Sequence, residues 1–235
     1  PTKKWAGKPG EYCSPREFRE GVEKCLQELG TDYIDVFHLH GARPESYDYA
    51  RAEIVPVLQA MRGEGKVRFL GITEMFNADP SHQMLARAVA DDCWDVIMVG
   101  LNMLNPSANG AILPAAADSG IGTLIMFAVR NALSQPQRLT EVLDDLIAEG
   151  QVDGDLVDRD GPLDFLLAGG EAASIVEAAY RYCRHQRGVD VVLTGTGSAQ
   201  HLEDNVRSIL RPGLPDDALA TLEKLFGRVD SVSGS

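Results

Sequence analysis

The sequence predicts an α/β fold built on a parallel sheet, and three observations lead there. Short apolar runs of strand-forming residues alternate with longer amphipathic segments along most of the chain. The first four runs begin about 30 residues apart, the usual length of a right-handed strand–helix repeat. The stretch from Thr31 to Pro44, T-D-Y-I-D-V-F-H-L-H-G-A-R-P, is nearly continuous in hydrophobic residues, as a parallel strand covered on both faces requires.

Taken in order, the elements support that reading. Ser14 followed by Pro15 marks a helix start, a cap and then a proline at the first helical position. Phe18, Val22, Leu26 and Leu29 share one face of this helix, and Gly30 ends it. The strand that ends at His40 follows. A helix is expected from about Tyr49 to Arg62, with Ile54, Val57, Leu58 and Met61 inward, broken by Gly63 and Gly65. Lys66 to Ile72 reads as the second strand, ending at Thr73 and Glu74, and Pro80 opens a helix through Leu85 and Val89. Asp95 to Leu101 is the third strand and Gly122 to Phe127 the fourth, with a small-residue helix between them at Ile112 to Asp118.

A longer insertion then carries a helix from Leu139 to Ala148, a polar loop, and a helix near Glu171 to Gln186. Asp190 to Leu193 is the fifth strand. It runs into T-G-T-G-S, an amphipathic helix from Gln200 to Leu210, and a last helix from Asp216 to Phe226. No low-complexity linker divides the chain. Residues 1–227 therefore read as one domain, and the Ser/Gly-containing segment 228–235 as a mobile tail.

Composition narrows the function classes. A chain of 235 residues, 44% hydrophobic, can bury a substantial core. A net charge of −13 argues against nucleic acid and anionic membrane surfaces as partners. The four cysteines, Cys13, Cys25, Cys93 and Cys183, have no paired spacing. They suggest neither a metal site nor a disulfide framework, and a reducing compartment follows. No apolar run reaches membrane-spanning length, so a cytoplasmic setting is expected.

Two segments carry candidate chemistry. In strand–helix barrels the C-terminal strand ends hold the catalytic groups. His40 sits at such an end, where an imidazole titrates near neutral pH and donates to a substrate oxygen. His38 points to the same face one layer deeper. A packed core histidine is the competing reading for both. Leu193 to Asn205, L-T-G-T-G-S-A-Q-H-L-E-D-N, places small residues between a strand and a helix, where backbone N–H groups and a helix N-terminus suit a phosphate. It is not the dinucleotide fingerprint, because Gly195 and Gly197 have no third glycine after them. A simple connecting turn is the alternative.

Together these pieces resemble the aldo-keto reductase family. The likeness rests on Thr2-Lys3, on E-K-C-L-Q-E-L-G-T-D-Y-I-D-V-F-H-L-H, on V-R-F-L-G-I-T, and on T-G-T-G-S with H-L-E-D-N, all in order across nearly the whole chain. It implies a TIM (β/α)8 barrel that binds a nicotinamide dinucleotide at its C-terminal face. It also implies hydride transfer between that cofactor and a small carbonyl or alcohol substrate. In the family a tyrosine acts as general acid, a lysine lowers its pKa, and a histidine orients the carbonyl. Lys3 and His40 match the last two. A nearby ammonium does favour tyrosinate over the neutral phenol.

The chain departs from the family pattern at several points. The family's Asp and Tyr lie upstream of its T-K, so this sequence is expected to lack the first two to three strand–helix units, and on its own to be inactive or nearly so. Tyr12 and Tyr33 stand in the wrong places to substitute. Thr73 and Glu74 replace a Ser and Asn that hold the carboxamide, and Met98 stands where a Gln is common. Phe127 falls at or near the aromatic that stacks on nicotinamide. Thr194, Gly195, Thr196, Gly197 and Ser198 would cradle the phosphates, with Asp204 and Asn205 at the adenine end. Gly195 and His201 occupy places where many NADPH-preferring members have cations, so the NAD(P)(H) choice leans to NAD. The βα loops Gly41 to Tyr49, Asn102 to Gly110 and Asn131 to Pro162 are expected to line the substrate pocket. A non-catalytic barrel of the same descent, binding a dinucleotide or a partner, is the alternative function.

Overall fold

The computed structural model describes Trp5, Ala6 and residues 11–235. Lys3, one of the two catalytic candidates, lies outside the described residues, as does Thr2. Among those described, five strands form one parallel sheet in chain order: β1 (Ile34–Ala42), β2 (Val67–Glu74), β3 (Val96–Gly100), β4 (Gly122–Met126) and β5 (Val191–Val192). The sheet is open, with β1 and β5 at its edges.

Among the described residues eight longer helices flank it: α1 (Pro15–Leu29), α2 (Val55–Gly63), α3 (Gln83–Ala88), α4 (Ile112–Ser119), α5 (Pro136–Ala148), α6 (Ile175–Arg184), α7 (Ala199–Ile209) and α8 (Asp216–Phe226). No helix among the described residues is long and apolar enough to cross a membrane.

Local chemistry explains most boundaries. Ser14 caps α1 in a reciprocal box with Glu17, and Gly30 closes it in the left-handed conformation at φ 65°. The helix expected from Tyr49 onward is interrupted by a π-helical stretch, Ala50–Ile54, just before α2. Pro56 accounts for this, since it has no N–H to donate and its ring crowds the carbonyl four residues back.

Helix α3 begins at Gln83 rather than Pro80. The Asp79 carboxylate accepts from the backbone N–H of Gln83 (3.0 Å) and Met84 (2.8 Å), while His82 takes a left-handed φ of 61°. Helix α6 begins at Ile175, where Ser174 caps the Glu177 N–H, because Gly169 and Gly170 adopt positive φ just before it. Helix α5 starts earlier than expected, at Pro136, with proline in its first turn.

Strand β5 is only two residues long. The Asp190 carboxylate instead accepts from the Thr123 N–H at 2.8 Å, and Thr123 Oγ1 accepts from the Asp190 N–H at 3.0 Å. Leu193 N–H still donates to the Ile125 carbonyl at 2.9 Å before the chain turns away.

The sheet has two unlike faces. Leu39, Leu70, Ile72, Ile97, Val99 and Ile125 are fully buried against the helices. On the other face, strand register aligns Thr73, Met98, Leu124 and Val191 in one cross-strand row. Phe69, on the same face, is 50% exposed and Val191 45%.

The segment 228–235, expected to be mobile, is hydrogen-bonded along its length. The Val232 and Ser233 carbonyls accept from the side-chain amides of Asn105 (2.8 Å) and Asn102 (3.1 Å). The Gly234 and Ser235 carbonyls accept from Ala132 N–H (3.1 Å) and Arg138 Nε (2.8 Å). Polar composition alone suggests a loose end, but the donors that hold it come from loops distant in sequence.

Candidate functional site

Because all five strands run parallel, His40, Thr73, Phe127 and Thr194 come to the same C-terminal end of the sheet. His40 lies near the end of β1 with an exposed side chain, and its carbonyl accepts from Trp5 Nε1 at 2.7 Å. Gly41 follows with φ 68°, turning the strand, and its N–H donates to Thr73 Oγ1 at 2.7 Å.

His38 packs below His40. Its ring lies so close to Gly71 that a Cβ there would meet Nδ1 at 2.5 Å. Only glycine on β2 makes room for this histidine on β1. His38 Nδ1 is buried without a hydrogen-bond partner. Burial, and secondarily the His40 imidazole, push the His38 pKa below its usual value.

Thr73 and Glu74, read together from the sequence, go to opposite faces. Thr73 belongs to the open face, beside the half-buried Met98. Glu74 is turned into the helix layer, its side chain fully buried. Its carboxylate accepts from the Gly100 N–H at 2.7 Å and pairs with His82 Nδ1 at 2.9 Å. Burial, the largest influence, raises the Glu74 pKa against the opposing pull of His82. Phe76 stacks on the His82 ring at 5.2 Å and fills the space over Gly100, where a Cβ would meet it at 2.2 Å. Glu74 therefore reaches a ligand on the open face only by breaking this pair. Sequence reasoning missed His82, and the two-residue side-chain period of a strand was the signal for Glu74's direction.

Phe127 follows β4 with a left-handed φ of 68°, a costly conformation for an aromatic residue and one that clusters at functional sites. The Arg130 guanidinium lies 4.0 Å from its ring centroid, and Phe76 sits 5.8 Å away on a tilted approach.

The loop after β5 is open. Gly195, Thr196 and Gly197 are exposed, and added Cβ atoms at the two glycines would meet nothing within 4 Å. Ser198 caps α7 by accepting from the His201 N–H, and Thr196 Oγ1 accepts from the Ser198 N–H at 3.1 Å. His201 is exposed. Asn205 is committed elsewhere: its amide donates to Thr194 Oγ1 at 2.7 Å, which also contacts the Tyr180 hydroxyl at 2.9 Å. Asp204 is held by Gln200 and Arg207 along the helix surface. No group of three or more His, Cys, Asp or Glu among the described residues is placed to hold a metal ion.

The Aldo/keto reductase family profile matches residues 2–226. The chain belongs to the aldo/keto reductase family. It is similar to L-galactose dehydrogenase of Arabidopsis thaliana, 24% identical over 96% of this chain and 69% of that enzyme. Shorter matches are to D-threo-aldose 1-dehydrogenase of Pseudomonas sp (31% identical, 60% of this chain, 41% of the enzyme). Another is the NADH-specific methylglyoxal reductase of Escherichia coli (32% identical, 46% of this chain, 32% of that protein). The chain thus spans less than half the length of these last two relatives.

Among solved structures, the holo form of an aldo-keto reductase from Bacillus halodurans superposes with a TM-score of 0.65. It is 18% identical over 96% of this chain and 70% of that one. The fold is thus that of the aldo-keto reductases, which are TIM barrels, with the strand–helix order seen here and the sheet left open.

Proposed function

We propose that this aldo-keto reductase family member is an oxidoreductase. Its site transfers a hydride between a nicotinamide dinucleotide and a small carbonyl or alcohol substrate. The observation that carries the reading is the family match over residues 2–226, in a sheet whose C-terminal end gathers His40, Thr73 and the Thr194–Ser198 loop.

The residues present fit a dinucleotide best at its phosphates. The exposed Gly195–Gly197 backbone ahead of the Ser198-capped helix leaves room for close approach. Phe127 offers an aromatic ring, while Thr73 is buried at the strand ends with its hydroxyl oxygen accepting from the Gly41 N–H. When bound, the dinucleotide supplies or accepts the hydride. His40, exposed at the strand end, orients the substrate oxygen by donating a hydrogen bond. Lys3 matches the family's lysine, whose ammonium would lower the pKa of a proton-donating tyrosine, and that tyrosine matches no position in this sequence. Glu74, paired with His82, supports the strand ends instead of holding the carboxamide.

The cofactor preference is for NAD(H), since Gly195 offers no cation to a 2′-phosphate. An Arg–phosphate contact is worth roughly 1.5–3 kcal/mol, and without one at least about tenfold preference for NADPH is lost. The names of the relatives, which include an aldose, L-galactose and methylglyoxal, support a small aldehyde or sugar substrate.

Fluorescence titration of NADH and NADPH, with turnover on aldoses and small aldehydes, tests this. NADH binding with equal or better affinity is expected. His40→Ala should lower kcat by roughly 10²-fold and leave cofactor affinity unchanged. Cofactor binding without turnover of any carbonyl or alcohol in the whole protein would favour a binding module instead.

A further inference from the structure

The last four residues of the described chain bind to the strand ends at which the proposed function is centred. Four consecutive carbonyls, from Val232 to Ser235, each accept a hydrogen bond, and the donors come from the loops after β3 and β4 and from α5. Val229, just upstream, is 1% exposed, which fixes where the segment leaves the core. Gly234 takes φ 78°, and a Cβ added there would meet Arg130 Cβ and the Asn102 amide nitrogen at 3.5 Å.

The terminal contact is the informative one. Arg130 Nη2 donates to Ser235 Oγ, while Cζ of the same guanidinium lies over the Phe127 ring, 4.0 Å from its centroid. Arg130 Nε is buried and has no hydrogen-bond partner, a cost that a ring contact and one latched nitrogen partly offset. Phe76 approaches Phe127 at 5.8 Å on a tilted axis, and Phe127 is half-buried. The ring face that Arg130 occupies is closed to a second planar ring while Arg130 stays there.

We infer that residues 232–235 form a strap that latches Arg130 over Phe127 and must release before a nicotinamide ring stacks there. The inference rests on the cofactor reading given above. Strap and cofactor then compete for one ring face, so each weakens the other by the same factor. The Phe127 φ of 68° is consistent with a residue held ready for a ligand and covered in its absence.

The experiment uses the whole protein and a variant lacking residues 232–235, both titrated with NADH by fluorescence. Deletion should tighten NADH binding on the order of tenfold, the worth of one hydrogen bond to a charged group, and Ser235→Ala by a smaller factor in the same direction. The Ser235→Ala variant keeps the test decisive if the deletion misfolds. Hydrogen exchange gives a second reading: the Ala132 amide, bonded to the Gly234 carbonyl, should be protected without NADH and lose protection at saturating NADH. Equal affinity in all three proteins, with Ala132 still protected under NADH, overturns the strap and leaves the cofactor reading standing. Weaker binding after deletion also overturns it, since the segment would then belong to the cofactor site. Failure of every form to bind NADH overturns both.

Discussion

The two faces of the sheet are made from the same strands and serve different ends. On the helix side, Leu39, Leu70, Ile72, Ile97, Val99 and Ile125 are sealed from water. On the other side, Phe69 and Val191 remain about half exposed, and the exposed His40 and half-buried His38 and Met98 line the face around the buried Thr73. Strand alternation alone assigns each residue to one of these roles. Stability is therefore concentrated on one face, and the other is free to carry polar groups that a packed core would penalise.

The sharpest comparison is between neighbours in the chain. Glu74→Ala would leave the buried His82 Nδ1 and the Gly100 N–H without their acceptor, and should cost about 3–5 kcal/mol, as breaking a buried pair does. Thr73→Ala removes one acceptor from the Gly41 N–H and should cost about 1 kcal/mol. Urea unfolding of the two variants measures the difference. Equal losses would mean that Glu74 is not buried against His82 in solution.

The apolar residues of the two faces allow a second test. Ile97→Ala empties a fully buried site and should cost about 2–4 kcal/mol. Leu124→Ala, at a half-buried position in the open row, should cost about 1 kcal/mol or less. Similar losses at both positions would show that something covers the open face in solution.

These comparisons also show what was legible beforehand. The strands were readable because β-branched and apolar runs such as V-I-M-V and G-T-L-I-M have no other good use than a buried strand. Boundaries set by caps close in sequence, Ser14 with Glu17 and Gly30, were equally plain. The start of α3 was not, because Asp79 caps it across a left-handed His82, a conformation that no local pattern announces. Glu74 was matched to the family's carboxamide-holding Asn by resemblance, and strand alternation turns its side chain to the other face. His82, Arg130 and the docking of residues 232–235 depend on contacts between segments as much as 131 residues apart, which no local sequence pattern encodes.

The smallest expected effect comes from His38, where the two faces' logic meets in one side chain. His38 is on the open face, yet its Nδ1 is buried without a partner, and its ring is wedged over Gly71. Burial first, and His40 second, lower its pKa from the 6.5 of the unfolded chain. Between the folded value and 6.5 the unfolded chain therefore binds more protons than the folded one, and stability falls as pH drops through that window. Above it both states are neutral at this site, and the contribution is flat. His38→Leu keeps an apolar side chain over Gly71 and removes the proton. The urea midpoint of the variant should then change less than that of the parent between about pH 7.5 and pH 5. The comparison is of slopes, so a general loss of packing, which shifts both ends alike, does not mimic it. Parallel profiles for the two proteins would show that the imidazole is solvated in the folded state, and that this part of the open face is wetter than its burial suggests.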